Sequence, residues 1–138
     1  MIAVDTNVLL DVLLRGAEHA EVSRAALHKA RKTGALFVCE IVYAETSAQF
    51  DGDAKATDKF LRKAGIELDH STRTILAHAG GAWREYRRRG GKRDRIASDF
   101  LIGAHADERT GTLLTRDEDF YKTNFKKLNI INPSAKHG

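Results

Sequence analysis

The chain is poor in the residues that staple or break a fold. It has one cysteine, Cys39, and one proline, Pro133, in 138 residues. A lone cysteine excludes an intrachain disulfide and a cysteine-rich zinc site. Placed after an apolar run, Cys39 reads as a small buried residue and not as a nucleophile. No apolar run approaches the roughly 20 residues that span a bilayer. Asp5 and Asn7 interrupt the start, where a signal peptide would be continuously apolar. The expectation is a cytoplasmic protein without a membrane partner. The six histidines (His19, His28, His70, His78, His105 and His137) show no ligand-like grouping. Charge is nearly balanced, at 23 Lys and Arg against 19 Asp and Glu. An anionic partner is permitted but not demanded.

What is present suits one globular domain. Hydrophobic residues make up 42% and charged residues 30%, and the length allows a single core. Residues 1–132 are expected to form it, with 133–138 as a short tail. Short apolar runs recur at 2–4, 36–38, 112–115 and 128–131, with a weaker one at 66–68. Each is too short for a helix and suits a strand buried on both faces. Between them the 3.6-residue pattern predicts helices over 8–14, 18–32, 40–50, 54–64, 72–89 and 96–109. Gly34 and Gly90–Gly91 serve as stops, and Ser71–Thr72 as a cap. This alternation implies an α/β fold of three layers, with a central, mostly parallel sheet of four or five short strands. Its crossovers would be right-handed.

In such sheets ligands bind beyond the carboxyl ends of the strands. The segment AVDTN (3–7) ends an apolar strand on Asp5, and LLTRD (113–117) leads to Asp117 in the same way. Two more acids fall on helices. Glu45 shares a helical face with Ile41, Ala44 and Ala48, so an apolar stripe is expected around it. Asp99 opens a helix beside Ile96, Phe100, Gly103 and Ala104, where the helix dipole also favours an acid. Gly103 would admit another backbone or a ligand. If the four acids converge, each like-charged pair about 4 Å apart repels by roughly 4 kcal/mol at an effective dielectric near 20. That is a large share of a domain's whole stability. The carboxyls then either hold protons or share a cation, and all-oxygen donors suit Mg²⁺ or Mn²⁺. Other acids read more plainly. Asp11 is expected to pair with Arg15 at the surface, Asp51 and Asp53 to shape a turn and cap, and Asp94 to pair with the arginines around it.

Four segments carry a resemblance: VDTNVLLD (4–11), YAE (43–45), SDFLIGAHA (98–106) and LLTRDEDFY (113–121). In their order they resemble the signature segments of PIN domains, above all the VapC-type toxins of bacterial and archaeal toxin–antitoxin modules. The resemblance implies a Mg²⁺-dependent ribonuclease, with Mn²⁺ able to substitute. Asp5, Glu45, Asp99 and Asp117 would be its catalytic acids. Asp5, Asp99 and Asp117 would hold the metal, with Glu45 and Asp119 as further candidates. Thr6, Asn7 and Thr115 would steady the carboxylates by hydrogen bonding. A cognate VapB-type antitoxin and a homodimer are also implied.

RNA would need a basic surface. WREYRRRGGKRDR (83–95) places Arg87, Arg88, Lys92, Arg93 and Arg95 ahead of the Asp99 helix, and Arg116 stands beside Asp117. These residues form either a phosphate-binding rim, with Trp83 or Tyr86 stacking on a base, or a solvated helix end with Trp83 in the core. Two rival functions stay open. One is a PIN-like RNA-binding or regulatory module without efficient catalysis. The other is an aspartate-based phosphoryl-transfer domain. Asn7 argues against the latter, because aspartate phosphatases carry a second Asp at that position.

Overall fold

The centre is built from five strands: β1 Ile2–Val4, β2 Leu36–Val38, β3 Ile66–Leu68, β4 Thr112–Leu114 and β5 Asn129–Ile131. The computed structural model describes residues 1–92 and 96–135. All four pairings are parallel, and the sheet order is β3-β2-β1-β4-β5. Val4, Val38, Leu113 and Leu114 are fully buried. A strand covered on both faces has no use for alternation, which is why these segments are unbroken apolar runs.

Among the described residues seven helices connect the strands: α1 Thr6–Leu13, α2 Ala20–Thr33, α3 Glu40–Ser47, α4 Ala54–Ala64, α5 Arg73–Arg88, α6 Ser98–Arg109 and α7 Glu118–Asn124. The expected third helix ends early, and a 3₁₀ turn, Ala48–Phe50, takes its last residues. Helix α7 was not among those expected from apolar spacing; at seven residues it spans too few turns to show a period. Local chemistry sets several ends. The Asp53 carboxylate accepts the Lys55 and Ala56 amides and starts α4. Gly65, at φ 72°, closes α4 in the left-handed region and turns the chain into β3. Thr72 caps α5 through the Ile75 amide.

The chain steps from β1 outward to β2 and β3, returns to the other side of β1 as β4, and steps outward again to β5. Right-handed crossovers place α1–α4 on one face and α5–α7 on the other. The packing agrees: α1 lies on α2 and α3, α3 on α4, and α5 along α6, while α3 also meets α6. Burying a large apolar side chain such as Phe100, Leu9 or Ile75, all fully buried, contributes roughly 1.5–3 kcal/mol each. The end of β3 is tied to α6 by charge. Asp69 takes a two-pronged bond from Arg109, 2.9 Å on each oxygen, and a contact from the buried His105 at 2.8 Å.

Candidate acidic active site

The strand order reverses between β1 and β4, and a crevice opens at the carboxyl end of a parallel sheet where that happens. Asp5 follows β1 and caps α1, its Oδ1 accepting the Thr6 amide at 2.7 Å. Thr115 follows β4 and donates its hydroxyl to Asp5 Oδ2 at 2.7 Å. The same hydroxyl accepts the Asp117 amide at 3.0 Å and the Asn7 side-chain amide at 3.3 Å. Asn7 also lies 3.4 Å from Asp5 Oδ2, and its carbonyl accepts the Arg116 amide at 3.3 Å. The two strand ends are therefore laced together. Thr6 faces the other way, and its hydroxyl donates to Glu45 Oε1 at 2.8 Å.

Charge gathers at the same place. Asp5 is 5% exposed, and burial pushes its carboxyl up from 3.8 to about 6. The Thr115 hydroxyl and the Thr6 amide pull it back by hydrogen bonding, as does the mere nearness of the Tyr121 hydroxyl, while the charge on Asp99 adds to the rise. Tyr121, on α7, is fully buried. Burial first, then Asp5, Asp99 and Asp117, hold its phenol far above the usual range. Three acids thus bear on one buried hydroxyl. Glu45 joins them through Thr6. Asp117 and Asp119 are exposed, and Asp119 lines an open cavity of about 440 Å³ with Tyr86, Arg89 and Phe120.

A model of the PIN domain family matches residues 2–126. The chain is a PIN domain. Among solved structures it is similar to VapBC2 from Rickettsia felis bound to a DNA fragment from their promoter, with 21% identity, TM-score 0.73, and 96% of this chain and 98% of that chain covered. It is similar to VapBC-1 from nontypeable Haemophilus influenzae, with 16% identity, TM-score 0.73 and coverage of 98% and 100%. A toxin–antitoxin complex from Klebsiella pneumoniae gives 16%, TM-score 0.67 and coverage of 99% and 100%. At such identities the likeness concerns the fold. No curated protein matches the sequence.

Within this PIN domain the acids are not assembled as a finished metal cage. Among the described residues, no group of three His, Cys, Asp or Glu side chains could hold a metal ion as it stands. The donor chemistry still fits a hard divalent cation, since every candidate is an oxygen. A buried Tyr121 hydroxyl without a hydrogen-bond partner among the described residues fits it as well.

Several residues differ from the sequence expectation. Asp11 does not pair with Arg15 at the surface. It is buried, takes the Arg116 guanidinium in two bonds of 2.7 and 3.0 Å, and accepts the Ser23 hydroxyl at 2.6 Å. Arg116 is thus engaged inside the PIN domain. The apolar stripe around Glu45 is not a buried face either. Ala44 and Ala48 are exposed, and Val42 and Thr46 are the buried residues of α3. Small side chains made that stripe apolar without making it bulky enough to seek the core. Gly103 gives its space to the Phe125 ring, which would lie 2.3 Å from an added Cβ.

The remaining candidates are simply located. Cys39 is buried and its thiol is pushed up to about 11, so it stays protonated. Arg87, Arg88 and Lys92 are exposed. Tyr86 packs on Phe100 at 5.4 Å, and Trp83 packs against the core. Arg93, Asp94, Arg95 and His137 lie outside the described residues. Sequence reasoning passed over Tyr121 and the Asp11–Arg116 pair. Tyr121 was visible only as an aromatic two residues past Asp119, with nothing local to mark its hydroxyl as inward.

Proposed function

We propose that this PIN domain is the toxin of a toxin–antitoxin pair and a Mg²⁺-dependent endoribonuclease. The observation that carries the reading is that the Thr115 hydroxyl ties the Asp5 carboxylate to the backbone of Asp117 where the strand order reverses, with Glu45 brought to the same place by the Thr6 hydroxyl. Likeness of fold to VapBC complexes supports a VapB-type antitoxin as partner. The protein would act in the cytoplasm, as a homodimer.

Asp5, Asp99 and Asp117 would hold the cation, with Glu45 and Asp119 able to join. A bound divalent ion supplies a water of lowered pKa and neutralises charge on the phosphoryl oxygens. The chain's own residues do the rest. Thr6 and Thr115 fix the Glu45 and Asp5 carboxylates, and Asn7 and Thr115 hold the strand-end loop that carries Asp117. Glu45 would either join the ligands or take a proton from the attacking water. Arg87, Arg88 and Lys92 would hold RNA phosphates. Arg93 and Arg95 are proposed for the same role from sequence alone, while Arg116 reaches RNA only if it leaves Asp11.

The test is cleavage of a structured RNA panel with Mg²⁺, Mn²⁺ or EDTA, beside Asp5→Asn purified identically. Metal-dependent cleavage that disappears in the variant is the expected result. Equal cleavage by both proteins defeats the proposal. The spread of the acids favours one rival, a module that binds RNA without cutting it. Metal-independent binding with no cleavage would establish that role instead.

A further inference from the structure

We propose that Tyr121 is a positioning residue of the acidic site, its hydroxyl donating a hydrogen bond to the Asp5 carboxylate when a divalent cation is bound. The inference rests on the metal-dependent reading above and adds a residue to it.

The ring has nowhere else to go. It meets Phe120 edge-on at 5.1 Å and Phe125 at 6.5 Å. Phe125 is in turn seated over Gly103 of α6, where any side chain would collide with it. Tyr121 is fully buried, and its hydroxyl has no hydrogen-bond partner among the described residues. Phenylalanine would fill the same volume without leaving a polar atom dry. That oxygen faces Asp5, with Asp99 and Asp117 near enough to bear on it electrostatically. The phenol O–H is a donor set beside carboxylates.

Asp5 has room for one more donor. An ionised carboxylate offers about four acceptor positions. The Thr6 amide and the Thr115 hydroxyl take one on each oxygen, both at 2.7 Å. Asn7, at 3.4 Å, is shared with Thr115 and binds weakly. Two positions remain, one for Tyr121 and one for the cation.

Mn²⁺ affinity of the full chain, read by electron paramagnetic resonance in wild type and Tyr121→Phe, tests this. Thermal unfolding of both proteins in EDTA runs alongside. The expected result is Mn²⁺ binding weakened about tenfold, the range for a group that orients a ligand, with the metal-free melting temperature unchanged or higher. Unchanged Mn²⁺ affinity in the variant overturns the inference and leaves the nuclease reading standing. A wild type that binds no Mn²⁺ overturns both. A melting temperature in EDTA that falls sharply shows the hydroxyl already bonded without metal, and overturns the cation-dependent form.

Discussion

Thr115 Oγ donates to Asp5 Oδ2 at 2.7 Å across 110 residues of chain, and it is the one hydroxyl through which β1, β4 and the Asp117 loop are joined. Replacing Thr115 with Val keeps the shape and removes three hydrogen bonds at once. It leaves the Asp117 and Asn7 amides without their acceptor. The expected cost is about 2–3 kcal/mol in urea unfolding, together with loss of most cleavage. A Thr115→Ser variant should recover both. Full activity in Thr115→Val would mean that the lacing has no part in the chemistry.

Asp5 gives the stability a particular pH dependence. Its folded pKa, about 6, lies above the ordinary 3.8, so the folded state binds the proton more tightly than the unfolded one. Stability from this group is whole below about 4 and is lost as pH rises through about 6, by up to roughly 3 kcal/mol. Asp11 and Asp69 are shifted the opposite way by their arginines and other donors, and they remove stability as pH falls below about 4. In EDTA, wild type should therefore lose stability between pH 4 and 7, and Asp5→Asn should be flatter over that range. Parallel curves would show Asp5 titrating as an ordinary carboxyl.

Arg116 distinguishes a structural role from an RNA contact. Asp11 is buried beneath it, so Arg116→Met strands a charge and should cost about 3 kcal/mol. Cleavage should fall because the loop bearing Asp117 loosens. The salt dependence of RNA binding should stay as in wild type. A flatter salt slope would instead assign Arg116 to the phosphates.

The exposed cations at the end of α5 carry the complementary expectation. Arg87→Ala, Arg88→Ala and Lys92→Ala combined should leave the fold's melting temperature within about 2 °C, since exposed ion pairs contribute little. The slope of log affinity against log salt should drop by about 2–3. No change in slope would return these residues to the role of a solvated helix end.

The parts of this fold that were legible in sequence are those where one force acts alone. Strands buried on both faces are written as continuous apolar runs, and Leu113 and Leu114 could hardly be read otherwise. Asp5 and Asp117 stood out because an acid at a strand end conflicts with its surroundings. Glu45 was singled out through a stripe that proved exposed, and its actual link to the site is the Thr6 hydroxyl, 39 residues away in sequence. Asp11 offered Arg15 as a local partner and took Arg116 from the far end of the chain. Long-range partners of polar groups leave no periodic trace, and the inward turn of the Tyr121 hydroxyl leaves none either.

The reversal of strand order also governs when the acidic crevice can form. Everything up to the end of α6 can be synthesised and begin to collapse while Asp5 still lacks Thr115 and Asp117 lies unmade. The site closes only when β4, residues 112–114, leaves the ribosome and slots in beside β1. That contact spans most of the chain and is entropically late. A growing chain therefore carries Asp5 without its Thr115 partner until those residues arrive.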